Sequence, residues 1–142
     1  MSLKIDNLKK DGDASEEYLL LEAIENINLH DYAVVDRTFD TNGDLSNLFR
    51  HFFRFPSIQV KKGEFVSLRT GKGTYVLGKT TNGHPVHRIY WGSDAPIWND
   101  SNIETVEVLR VATIAQKATG HPAPKKKPTF NFRPTGLKYG GK

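Results

Sequence analysis

The sequence predicts an all-β domain, a sandwich or barrel, followed by a basic tail. Turn-forming residues recur about every ten positions between short runs of β-branched and aromatic residues, the cadence of stacked or closed antiparallel strands. No stretch sustains the 3.6-residue apolar periodicity of a long helix. At 142 residues the chain is long enough to bury one core, and with no cysteine it does so without disulfides.

Residues 1–16, polar and marked by the turn signal Asp11-Gly12-Asp13, are expected as a flexible lead-in. EYLLLEAIE, beginning at Glu17, has the composition of a short helix, but NINLHDYAVVD follows at once and suits two strands and a turn. Residues 40–47, DTNGDLSN, form a loop in which Asn42-Gly43 supplies the positive-φ positions of a tight turn. In FRHFFRFPSIQVKKGEFVSLRTG, Phe53, Phe55 and Ile58 are candidate core residues, Pro56 breaks the run and Lys61-Lys62-Gly63 turns the chain. Alternation in EFVSL buries either Phe65 with Ser67 or Val66 with Leu68. TYVLGKT, HRIYWG and IETVEVLRV read as further strands, and the compact domain is expected to span residues 17–116.

Beyond Gln116 the composition changes to Pro, Gly and Lys. The tail, residues 117–142, holds seven of the 20 basic residues and none of the 16 acids, so residues 1–116 carry 13 cations against 16 acids. An acidic body of formal charge −3 therefore bears a +7 tail, and that asymmetry points to a polyanionic partner. The tail lacks the apolar surface to fold alone and is expected to be extended or disordered. Lys125, Lys126 and Lys127, then Phe130, Phe132 and Arg133, then Lys138 and Tyr139, interleave cations with aromatic faces, which suits a phosphate backbone with stacked bases. Fully stretched, such a tail reaches about 80 Å. Docking of Phe130 and Phe132 on a partner's sheet edge, or a purely solubilising tail, are the competing readings.

The motifs of catalysis fare worse. GTYVLGKT, residues 73–80, matches the P-loop pattern in every letter, yet a P-loop must open a helix, and Thr81-Asn82-Gly83-His84-Pro85 is a turn followed by a helix breaker. A strand running into a turn is expected there. His84 and His87, three apart on a strand, face opposite sides, so a metal site shared with His30 and His51 is not expected and both are read as solvent-facing. The calcium-loop-like run from Asp40 to Asp44 has His51 at its twelfth position, where a bidentate Glu is needed. No strained G-x-S-x-G elbow exists, and Glu104 and Glu107 face opposite sides of one strand. Tyr90, Trp91 and Trp98 are read as packing residues rather than a ligand platform.

Three segments have the order of a known family. Glu17 to Glu22 with Asn28-Leu29-His30-Asp31-Tyr32 and Asp36, then FRFPSIQVKKGEFVSL with Lys62-Gly63-Glu64, then IYWGSDAPIWNDSNIETVEVL with Trp98-Asn99-Asp100, together resemble the lamin-tail-like domain. Two places depart from the family pattern: Lys62-Gly63 stands for the usual Pro-Gly, and Asn102-Ile103-Glu104 for a Gly-Asp. The resemblance implies an immunoglobulin-type β-sandwich that serves as a binding or scaffolding module for protein, chromatin or nucleic acid, with no catalytic constellation to carry over. The basic tail lies outside the family pattern.

A non-enzymatic module is therefore expected, its sandwich contacting protein and its tail contacting nucleic acid or a nucleoprotein assembly. A structural subunit whose tail clamps a neighbouring chain is the alternative, and a P-loop NTPase or metal hydrolase a remote one. No cofactor, metal or small-molecule substrate is expected. The longest apolar run, Leu19-Leu20-Leu21, cannot span a bilayer, and the charged N-terminal segment lacks the apolar stretch of a signal peptide, so no membrane contact and a cytoplasmic location are expected.

Overall fold

The computed structural model describes residues 2–10, 12–39, 41–98 and 103–123, and its compact body ends at Ala112. Among the described residues ten strands form: β1 Leu3–Lys9, β2 Tyr18–Ala23, β3 Ile27–Asn28, β4 Tyr32–Phe39, β5 Leu45–Arg54, β6 Gln59–Val60, β7 Phe65–Arg69, β8 Val76–Lys79, β9 Pro85–Tyr90 and β10 Glu104–Arg110. They make a five-stranded sheet in the order β1-β2-β7-β9-β8, a three-stranded sheet β10-β4-β5, and a two-stranded ribbon β3-β6. A turn of 3₁₀ helix, Leu29–Asp31, is capped by Asn28, whose side chain accepts from His30 N.

The segment EYLLLEA resolves as a strand because its burial has a period of two. Leu19, Leu21 and Ala23 are buried while Tyr18, Leu20 and Glu22 are half-buried. Pairing on both sides, with β1 and with β7, gives that alternation a ladder to join. In β7 the inward pair is Val66 and Leu68, opposite Leu21 and Leu19.

The lead-in expected over residues 1–16 is corrected: Leu3–Lys9 is a full strand, antiparallel to β2 from Leu3↔Ala23 to Lys9↔Tyr18. Its polar composition reflects an edge position, where one side of the ladder meets water and charged residues are tolerated or favoured. Leu3 reaches the core, Leu8 packs against it, and Lys4 lies 3.4 Å from Glu22 across the pair.

The two larger sheets share one core, as in a β-sandwich. Leu19, Leu21, Val66, Leu68 and Ile89 come from one inner face; Tyr32 and Val34, with Phe53, Val106 and Val108 packed against the cluster, come from the other. Phe55, the bulkiest of the fully buried side chains, stands edge-on to Phe53 at 5.4 Å between ring centres. β7 and β9 run parallel because β8 is placed at the outer edge and returns through a tight hairpin to insert β9 beside β7.

One buried carboxylate closes an end of this core. Glu17 is fully buried, and its Oε1 accepts from Thr70 Oγ1 at 2.8 Å and from Ile97 N at 2.8 Å, while Trp98 N lies 3.3 Å from both oxygens. The start of β2, the residue after β7 and the loop before β10 thus meet on one side chain. Removing it leaves a buried hydroxyl and two buried N–H groups without acceptors. Glu17→Ala is therefore expected to lower the unfolding free energy by about 3 kcal/mol or more, with Glu17→Gln falling between it and the unmutated protein, as read by urea denaturation.

Candidate functional site

Every tail residue singled out above, Lys125, Lys126, Lys127, Phe130, Phe132, Arg133, Lys138 and Tyr139, lies outside the described residues. Residues 113–123 are described, all exposed, and contain no strand or helix, only a bend at residues 119–120, with Ile114 at 96% exposure. The body offers three chemically distinct places.

The first is the outer face of the three-stranded sheet. Alternation along β4 sends Tyr32, Val34 and Asp36 inward and Ala33, Val35, Arg37 and Phe39 outward, and register sets Val35 opposite Phe52 and Arg37 opposite Phe49. Phe39, Phe49 and Phe52 are 44, 47 and 50% exposed, and the rings of Phe49 and Phe52 are 6.2 Å apart. Arg37 lies among them, with Nε 2.9 Å from Glu107 Oε1 and Nη2 donating to Oε2 at 3.2 Å from the opposite edge strand. The face is thus aromatic around a paired charge, an arrangement met at protein interfaces.

The second is a hydrogen-bonded chain at the β8 edge. Tyr75 Oη lies 2.8 Å from His87 Nδ1, and His87 Nε2 lies 2.9 Å from Glu64 Oε1, which also accepts from Lys61 N at 2.9 Å. The expectation of a solvent-facing His87 is corrected: Ile89, two residues on, points into the core, so His87 shares the inner face and is 5% exposed. His84 is exposed, as expected. Burial pushes the Glu64 carboxyl up, but the hydrogen bonds from the His87 side chain and Lys61 N, with nearby positive charge, outweigh it, holding the group below its ordinary 4.5. Burial, then the Glu64 carboxylate, pushes the Tyr75 phenol above its ordinary 10.0. An ionised Glu64 only accepts, so His87 Nε2 donates to it. This chain clamps the residue before β8 to the residue before β7.

The third is a cluster of possible metal ligands, Asp36, His51 and Glu104, whose ligand atoms all lie within 4.8 Å of one another. It was not legible in the sequence, because residues 36, 51 and 104 are brought together only by the order β10-β4-β5. The one local signal is a helix- and turn-free alternation that sends the even-numbered residues of β4 to one side.

The P-loop letters are accounted for by the hairpin. Val76–Lys79 is strand β8, Gly83 N donates to Thr80 O, Thr80 N donates to His84 O, and Gly83 takes φ 84° in the turn. Gly73 is required by space: a Cβ there would stand 2.6 Å from the Tyr90 ring. Trp98 is core and Trp91 packs against it edge-on at 5.9 Å, in line with their reading as packing residues. No family model, curated protein or solved structure matches the chain.

The sign of the Glu64 shift sets a pH dependence. A carboxyl held below its unfolded value stabilises the fold above pH 4.5, and that contribution disappears as pH falls through the lower folded value. Melting temperature should therefore drop more steeply below pH 4.5 in the unmutated protein than in Glu64→Gln, a difference readable by circular dichroism.

Proposed function

We propose that the chain is a non-enzymatic binding module, a lamin-tail-like sandwich of immunoglobulin type that engages a protein partner through its body and a nucleic acid or nucleoprotein assembly through its tail. The observation that carries the body's role is the outer face of the three-stranded sheet, where Phe39, Phe49 and Phe52 stand about half exposed together. Isolated apolar side chains are ordinary on a surface, whereas three aromatic rings on one sheet face are what an interface core uses. The family assignment is supported by the three sequence segments and by two sheets about one core, and the tail's role by its seven cations interleaved with aromatics.

A second reading, a subunit of a protein assembly whose tail clamps a neighbour, is favoured by the β8 edge. Tyr75, Val76 and Leu77 are 44, 46 and 55% exposed there, along the outermost strand of the larger sheet, so a neighbour's strand could extend the ladder.

Pull-downs with the intact protein, with and without nuclease, separate these roles. Phe49→Ser with Phe52→Ser is expected to lose the nuclease-resistant partners, and deletion of residues 118–142 the nuclease-sensitive ones. Retention of both sets by both variants would overturn the proposal. In direct titrations of labelled RNA or DNA, neutralisation of about five phosphates by the tail gives a log K against log salt slope of about −3.5 to −4.5. Cross-links from the tail to protein alone favour the second reading.

A further inference from the structure

Asp36, His51 and Glu104 project from the inner face of the three-stranded sheet at the end where Trp91 and Trp98 pack. Asp36 pairs with His51 on β5 and with Val106 on β10, and Glu104 pairs with Thr38, two residues beyond Asp36 on the same face. Asp36 is 1% exposed and the Glu104 side chain 5%, so two carboxylates share a nearly dry site. Carboxylates held this close in low dielectric call for positive charge between them. Arg50 supplies some of it, 3.1 Å from Glu104 Oε2.

A separate observation comes from Trp98, which lines a cavity with Glu104. The indole Nε1–H of Trp98, itself 3% exposed, is buried with no acceptor among the described residues. An indole nitrogen can only donate, so its burial alone is unfavourable. Trp98 lines, with Glu104, Val106, Leu8 and Lys10, a cavity of about 40 Å³. A single water needs only about 15 Å³ of such space, so a small oxygen ligand fits.

We propose that Asp36, His51 and Glu104 bind one divalent transition-metal ion, with Zn²⁺ the best match, and that a water on the ion occupies this cavity and accepts from Trp98 Nε1. One imidazole and two carboxylates are the borderline and hard donors that Zn²⁺ takes at about 2.0–2.2 Å, with three protein ligands and one water as a common set. His51 Nδ1 stands 2.8 Å from Asp36 Oδ2, close to the separation of roughly 3 Å between adjacent ligands on such a centre. Asp36 Oδ1 meanwhile accepts from His51 N at 2.7 Å, which fixes the strand irregularity beside it and leaves Oδ2 directed at the site. In a tetrahedral set every pair of ligand atoms stands about 3.3 Å apart, so this cluster, with its ligand atoms now within 4.8 Å, closes on an ion when the outer pair draws together by up to about 1.5 Å. Among the described residues, Arg50 and Lys10 are cations beside Glu104, both on long side chains able to swing outward. Bound there, the ion joins three strands directly and the Trp98 loop through its water. It is a metal staple at one end of the sandwich, independent of the partner-binding reading.

The test titrates the full chain with Zn²⁺ by calorimetry and with Co²⁺ by visible absorption and tryptophan emission. Saturation at one equivalent, Co²⁺ ligand-field bands, quenched emission and displacement of Co²⁺ by Zn²⁺ are expected. His51→Ala and Glu104→Gln should each weaken binding by more than about tenfold, the scale on which even outer-sphere partners act. Absence of saturable binding or of ligand-field bands in the unmutated protein overturns the proposal without reference to any variant. Unchanged affinity in both variants also overturns it, since the ion then sits elsewhere, as on His84 or His121.

Discussion

Glu17 occupies the position where β2 begins, and its carboxylate gathers Thr70 from the end of β7 with the backbone of Ile97 and Trp98. Three segments remote in sequence are joined there by a side chain that water does not reach. The arrangement determines where Trp98 enters the core, and Trp98 in turn supports Trp91, which contacts Phe53 at 5.2 Å and His51 at 6.3 Å. The end of the sandwich that carries Asp36, His51 and Glu104 is thus shaped from a carboxylate that makes no contact with them in the hydrogen-bond network described.

Two buried polar residues, Asp36 and His87, mark where the apolar core runs out. Along β4 the inward series is Tyr32, Val34 and then Asp36; along β9 it is Ile89 and, two residues earlier, His87. Both polar residues remain at 5% exposure or less, and both are hydrogen-bonded, Asp36 to His51 and His87 to Tyr75 and Glu64. A buried polar group without partners is costly, so these side chains also fix the register of the strands that carry them. The exposed phenylalanines, by contrast, point outward from the three-stranded sheet.

Several of the strands and turns were legible from local chemistry. Asn82-Gly83 with Pro85 identified the hairpin that disarms the P-loop letters, and the period-two burial of Val66 and Leu68 was one of two patterns that alternation allowed. β1 was missed because its charges match those of a loose segment, and only the presence of β2's free ladder makes an edge strand of it. His87 was misjudged because its neighbours Pro85 and His84 suggest a turn, while its face is decided by Ile89 packing inward.

By itself the sequence determined the all-β class, the acidic body with a basic tail, and the absence of any thiol chemistry, since these follow from turn spacing, composition and charge that do not depend on which strands meet. Tertiary structure alone decided which residues share a face and an end. Residues 64, 75 and 87, and residues 36, 51 and 104, meet only through cross-strand register, and hydrogen bonds between strands bring together side chains that no local spacing relates.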